Sequence, residues 1–308
     1  MSLEGLFKAR RQKGIIVPLL NAYLILKAQE PNNRETGVFH PSEISGFFCP
    51  RQWVIKERYR DSIIEEVDPP GLTRTYDIGS TLHELMQKYL AGMGILFGQH
   101  ICKKCYTVYY GFKPTEKCSC GCNKFKYEEV KITDTAHHIG GHTDGIVVVD
   151  FNPDKMFLSH KYVFEFKSIN PESYSNLRKP LSNHEDQACT YLYALEKEKS
   201  NRIKLLTDSG VKETDPVYLV ESMPFEGVII MYQNKGRQPA DGMGDLKEYL
   251  VPAKGAREVV EKKIPLLDEA WKHFLGETLP KATCTCRTDG HKNGCPKSIM
   301  DYCFKLDS

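Results

Sequence analysis

Eleven cysteines, unevenly spaced, constrain this chain more than any other feature. Cys49 stands alone, five lie within residues 102–122, Cys189 is isolated, and four crowd residues 284–303. Exported proteins oxidise such thiols, whereas intracellular ones use them as catalytic groups or metal ligands. Export therefore has to be weighed first. Arg10, Arg11 and Lys13 precede an apolar run over residues 15–26 that loosely mimics a signal peptide. The run contains Pro18, Asn21 and Tyr23, and no small-residue cleavage site follows it. At about a dozen residues it is also short of the roughly 20 needed to span a bilayer. It reads as a buried or amphipathic helix of an intracellular protein with no membrane partner. The clustered cysteines then read as metal ligands.

Composition narrows the class. With 42 Lys+Arg against 40 Asp+Glu and 41% hydrophobic residues, the chain is an ordinary globular one, not disordered, collagenous or membrane-spanning. Its 308 residues fit one large domain or two modest ones.

Residues 1–30 read as helix, ended by Pro31-Asn32-Asn33, and His40-Pro41-Ser42-Glu43 reads as a helix start. Residues 61–76, polar and carrying Pro69-Pro70-Gly71, read as a loop. Ile78, Leu82, Leu85, Met86, Tyr89 and Leu90 fall at helical spacing and predict an amphipathic helix over 78–92, with Thr81-x-x-Glu84 as a capping box. Residues 100–127 change character and read as an inserted subdomain. Two strands, 145–150 and 162–167, flank an Asn152-Pro153-Asp154 turn and predict a hairpin. Residues 184–199 read as helix, 225–232 as strand, and 256–275 as a long helix interrupted at Pro265. This order of strands and helices predicts an α/β or α+β layered domain.

An acidic centre emerges from the strands. Alternation puts Val163, Glu165 and Lys167 on one face of their strand and Tyr162, Phe164 and Phe166 on the other. A carboxylate and an ammonium on a strand with an apolar back face are costly without partners. The tripeptide alone is weak, since acid-x-Lys recurs at Glu129-x-Lys131, Asp245-x-Lys247 and Glu261-x-Lys263. Its neighbours strengthen it. Asp144 immediately precedes the first hairpin strand, so pairing brings it towards Glu165, and two carboxylates with water and phosphate suit Mg²⁺. His83, on the amphipathic helix, can add a third ligand. Gln187 and Tyr191 lie one helical turn apart, on one face of the next helix.

Gly79-x-x-x-His83, Gly141-x-x-Asp144, Glu165-x-Lys167 and Gln187-x-x-x-Tyr191 occur in that order. Together they resemble the nuclease motifs of the RecB-like PD-(D/E)XK superfamily. The segment HPSEISGFFCPRQWVIKERY at residues 40–59 is similar to the opening of its iron–sulfur members, which include the CRISPR-associated RecB-like exonucleases and the AddB nuclease domain. The resemblance covers roughly residues 40–100 and 130–305. It implies an α/β restriction-endonuclease-like core with a central mixed sheet flanked by helices. It also implies a nuclease that cuts DNA with Mg²⁺ or Mn²⁺, in the cytoplasm of a bacterial, archaeal or phage-infected host cell. His83, Asp144, Glu165 and the Phe166 carbonyl would hold the cation, Lys167 would activate or orient water, and Gln187 and Tyr191 would position it or the DNA.

The resemblance further implies a [4Fe–4S] cluster joining Cys49 to three cysteines of a C-terminal segment, residues 280–305. That segment reads Cys284-x-Cys286-x8-Cys295-x7-Cys303, a departure from C-x2-C-x5-C that leaves one thiol surplus. Cys295 and Cys303 with either Cys284 or Cys286 are the expected ligands, and a tetrahedral zinc site is the alternative. The middle group resembles a zinc ribbon: Cys102-x-x-Cys105 is a standard knuckle. Its second half, Cys118, Cys120 and Cys122, leaves the ligand pair open, with Fe–S as the minor alternative. Lysines 103, 104, 113, 117, 124 and 126, interleaved with Tyr106, Tyr109, Tyr110 and Phe112, can touch a nucleic-acid backbone, or form a solvated surface. Cys189 reads as a small buried hydrophobe.

The leading expectation is an exonuclease on single-stranded or end-bearing DNA in recombination, repair or DNA degradation. A structure-specific endonuclease and a non-catalytic DNA-binding subunit are the alternatives. No P-loop occurs, so unwinding would fall to a partner, a helicase or recombination protein.

Overall fold

The computed structural model describes residues 16–29, 34–63, 67–236, 244–281 and 295–306. Its strands are β1 (Leu96–Cys102), β2 (Val108–Phe112), β3 (Phe125–Glu128), β4 (Val130–Asp134), β5 (Ile139–Thr143), β6 (Gly145–Val149), β7 (His160–Ile169), β8 (Gly227–Asn234) and β9 (Leu246–Pro252). Its main helices are α1 (Ile16–Lys27), α2 (Pro41–Ile44), α3 (Pro50–Arg58), α4 (Pro70–Gly92), α5 (Pro171–Asn176), α6 (Ser182–Asp208), α7 (Pro216–Ser222), α8 (Ala253–Glu261), α9 (Ile264–Leu275) and α10 (Lys297–Leu306).

The predicted hairpin forms the centre of a mixed sheet. β6 and β7 pair antiparallel from Gly145 opposite Phe164 to Val149 opposite His160. β7 and β8 pair in parallel, because α5, α6 and α7 carry the chain back across the sheet between them. The seven-stranded order is β2-β1-β6-β7-β8-β9, with β3 also on β1. β4 and β5 form a separate hairpin. Helices flank both faces, so the chain is α/β with a mixed central sheet.

Strand alternation fixes what each face buries. Phe164 and Phe166 join Met86 and Leu90 of α4 and Leu96 and Val147 in a smaller core. Val163 faces the larger one, which holds Ala188, Leu192 and Leu195 of α6 and the Phe39, Trp53 and Phe48 cluster. Lys161, fully buried on that side, donates to the Val220 carbonyl at 2.9 Å and lies 3.9 Å from Glu221. Arg202 at 3.2 Å and the Tyr110 hydroxyl also engage Glu221, so the interior charge is hydrogen-bonded rather than isolated.

Several local expectations change. The polar stretch 61–76 is not all loop, since α4 starts at Pro70, where a proline costs no hydrogen bond. Its polar residues serve helix contacts: Arg74 donates to Asn21 Oδ1 at 2.9 Å, and Lys27 pairs with Asp77 at 2.8 Å. Thr81 is therefore mid-helix and caps nothing; its hydroxyl donates to the Asp77 carbonyl at 2.9 Å. The helical stretch over 256–275 is interrupted at Pro265 as expected, and its first half, α8, starts earlier, at Ala253. α1 buries only Pro18 and Leu24, because one face alone meets α4. The cysteine-rich stretch is continuous with the main sheet. On one edge β1 pairs with β6 through Leu96 and Phe97, then with β3 through residues 99–102. Among the described residues, no helix is long and apolar enough to cross a membrane.

Candidate functional site

Asp144 sits where the chain leaves β5 and enters β6, at the break between the two sheets. The β6–β7 ladder ends at Gly145 opposite Phe164. Beyond it, the Asp144 Oδ2 atom accepts the Phe166 backbone N–H at 2.7 Å, so the carboxylate continues the pairing that the backbone has abandoned. The other face of the same peptide segment offers the Phe166 carbonyl. His83, reaching down from α4, donates Nε2–H to that oxygen at 2.5 Å and places Nδ1 3.3 Å from Asp144 Oδ1. Burial alone would lower the His83 imidazole. The hydrogen bond and charge of Asp144, with the Phe166 carbonyl and Glu165 behind them, raise it instead to about 9. The pocket thus favours positive charge.

Glu129 completes this group. One ligand atom each of His83, Glu129 and Asp144 lies within 4.8 Å of the others. Gln87, one turn on from His83, ties the group together by donating to the Asp144 carbonyl at 3.0 Å and to Glu129 Oε1 at 3.4 Å. In the sequence Glu129 is no more than one example of a common acid-x-Lys pattern. The signal that places it is hairpin register: Val130 pairs with Thr143, which sets residue 129 opposite residue 144. Glu129→Gln is expected to weaken Mn²⁺ binding about 10–100-fold by calorimetric titration, with an unchanged melting temperature. An affinity within twofold of wild type would remove Glu129 from the site.

Glu165 and Lys167 lie on the α6 side of β7, with Nζ 2.6 Å from Oε1. Burial, and next the Asp144 charge, raise the Glu165 carboxyl against the pull of Lys167. Burial would lower the Lys167 ammonium, but Glu165 holds it raised and therefore protonated. Its Nζ also donates to Gln187 Oε1 at 3.0 Å, and Gln187 Nε2 donates to the Tyr191 hydroxyl at 2.8 Å. The four residues form one chain from sheet to helix. Glu165 Oε2 is buried with no hydrogen-bond partner, which is costly for a carboxylate unless something positive reaches it. Hard oxygen donors, one imidazole and this orphaned oxygen fit a Mg²⁺- or Mn²⁺-type ion.

The second group is sulfur-rich. Cys102, at the end of β1, and Cys105, Cys118 and Cys120 place their sulfurs within 4.8 Å of one another and could hold a metal. Cys102 and Cys120 are 3.6 Å apart, and Cys105 and Cys118 3.3 Å. Thiolates around one tetrahedral zinc ion sit about 3.8 Å apart, given Zn–S bonds of about 2.3 Å. The Cys122 sulfur lies outside this set, against the Lys124 backbone N at 3.4 Å.

Of the third cysteine set, Cys284 and Cys286 lie outside the described residues. Cys49 is the residue that precedes α3, and α10 packs on α3. Cys303, on α10, accepts a hydrogen bond from Arg51 Nε at 3.1 Å, so the C-terminal helix docks beside Cys49. Cys295 is half-buried, and Cys189 is buried as a small core residue. No family model matches this sequence, and no curated protein does.

Proposed function

We propose that this chain is a metal-dependent DNA nuclease of the RecB-like PD-(D/E)XK type, built on a restriction-endonuclease-like core, acting as an exonuclease on single-stranded or end-bearing DNA. The observation that carries the reading is the convergence of His83, the Asp144 carboxylate and the Phe166 carbonyl beside the buried Glu165–Lys167 pair. His83, Asp144, Glu129 and the Phe166 carbonyl, with Glu165 alongside, would hold the cation. When bound, such a cation polarises a phosphoryl oxygen, lowers the pKa of water and orients in-line attack. The net reaction adds water to phosphorus, breaks the P–O bond to one sugar oxygen, and protonates that leaving oxygen.

The chain's own groups have distinct parts in this. Lys167, held as an ammonium, donates to the attacking water or to a phosphoryl oxygen and offsets the charge that develops there. Gln187 fixes Lys167 from the side and is itself fixed by Tyr191, which narrows the lysine to one orientation. Gln87 keeps Asp144 and Glu129 from separating.

Zinc suits the four-thiol group, because a cubane's own iron and sulfide would hold its thiolates further apart than 4.8 Å. A [4Fe–4S] cluster is the proposal for Cys49, Cys295 and Cys303 with Cys284 or Cys286, supported by the docking of α10 on α3. The test is incubation of the purified protein with end-labelled linear and circular single-stranded DNA and Mg²⁺ or Mn²⁺. Linear strands are expected to shorten while circles survive. Cut circles would replace the exonuclease with an endonuclease, and no cutting with either metal would leave a non-catalytic DNA-binding subunit.

A further inference from the structure

A cavity of about 200 Å³ lies between α4 and the outer part of β1 and β3. Lys88 enters it from α4, Lys103 from just past β1, Lys113 from just past β2 and Lys126 from β3. Among the described residues, none of these four ammonium groups has a hydrogen bond or an ion pair. One carboxylate, Glu84, shares the lining and pairs with none of them, so positive charge dominates. Like charges that converge in this way repel one another, and the arrangement costs stability until an anion arrives. His100 lines the same cavity with a ring that is 1% exposed and an Nε2 that has no partner in the fold. A buried ring nitrogen of this kind normally finds a partner.

The position of the cavity points to its ligand. Gln87, Lys126 and Tyr127 line both this cavity and the adjoining one, of about 370 Å³, which holds Glu129 and His142. Gln87 is the residue that bridges Asp144 and Glu129. A strand whose scissile phosphate lies at the carboxylate end therefore has a neighbouring phosphate within the lysine end. Tyr127, on the wall between, and Phe125, in the lysine cavity, offer faces for a base.

We propose that this cleft binds the phosphate backbone of single-stranded DNA next to the cation site, with Lys88, Lys103, Lys113 and Lys126 as the anion ligands. The proposal deepens the nuclease reading and rests on it for the role of the strand, not for the binding itself. The cysteines enter here too: Cys102 directly precedes Lys103 and pairs with Phe125, so a filled four-thiol site would fix the ends of β1 and β3 that carry Lys103 and Lys126.

The test is fluorescence anisotropy of a labelled 20-nucleotide oligothymidylate with the full chain in buffer free of Mg²⁺ and Mn²⁺, where no cleavage occurs. The Lys113→Glu/Lys126→Glu double variant is expected to bind at least about 10-fold more weakly. Its log–log salt dependence should become shallower by about 0.7 for each phosphate that the protein no longer neutralises. Lys155→Glu and Lys212→Glu, exposed lysines outside the cavity, are expected to bind like wild type. Equal weakening by these controls, or wild-type binding by the double variant with its metal content intact, would overturn the proposal. So would displacement of the oligonucleotide by millimolar inorganic phosphate, which would make this a free-anion site. Loss of binding in the double variant of a protein that cuts nothing would uphold the cleft and sink the nuclease reading. Cutting at the wild-type rate by the double variant would do the reverse.

Discussion

Asp144→Asn is expected to cut DNA about 10³-fold more slowly than wild type while melting within a few degrees of it. The two expectations separate because the carboxylate has two duties. Its Oδ2 accepts the Phe166 N–H at 2.7 Å, and an asparagine carbonyl can accept the same bond, so the strand end keeps its cap. What asparagine cannot supply is the negative charge that draws a cation to the group with His83 and Glu129. Removing one anionic ligand forfeits several kcal/mol of charge stabilisation, and each 1.36 kcal/mol is about tenfold in rate. Cleavage within threefold of wild type would take Asp144 out of the chemistry. Lys167→Met should match the loss in rate through a different route. It leaves Glu165 with both oxygens unpartnered in a buried setting, so its melting temperature should move more than that of Asp144→Asn.

Metal analysis carries the second large effect. The wild-type chain is expected to hold one zinc ion at the four-thiol group. Cys105→Ser and Cys120→Ser should release it, with affinity more than about 100-fold weaker, whereas Cys122→Ser should retain it. That contrast follows from sulfur positions: Cys105 and Cys120 belong to the set within 4.8 Å, and Cys122 faces the Lys124 backbone. Structural zinc contributes folding free energy of about 10 kcal/mol or more in small domains. Here β2 and β3 are also paired in the main sheet, so losing the ion should loosen them rather than unfold the chain, lowering the melting temperature by about 5 °C or more. Zinc lost from Cys122→Ser and kept by Cys120→Ser would reverse the assignment. The same preparations, kept anaerobic, test the terminal set: iron and visible absorption that vanish in Cys49→Ala are expected, and a colourless wild-type protein carrying zinc alone would exclude the cluster.

The hairpin was legible because its signals are local. Short runs of β-branched and aromatic residues flank a turn at Asn152-Pro153-Asp154, the signal of a hairpin. The order of His83, Asp144, Glu165 and Lys167 was likewise written in the chain, although single motifs of this kind are common. Other features depended on partners remote in sequence. The start of α4 was hidden by polar residues whose contacts lie on α1. The break between α8 and α9 was marked by Pro265, since a proline in the first turn starts a helix.

By itself the sequence determined which chemistry is present: a thiol-rich pair of segments, a histidine and carboxylates suited to a hard cation, and a lysine among them. It also determined the two faces of β7, because strand geometry alternates side chains without reference to anything else. Only the tertiary structure decided which members meet. Hairpin register put Glu129 opposite Asp144, the end of the β6–β7 ladder turned the Asp144 carboxylate onto Phe166, and the pairing of β1 with β2 and β3 brought lysines alongside α4. Those outcomes depend on distances between residues far apart in the chain, which packing and strand pairing set and which residue spacing does not encode.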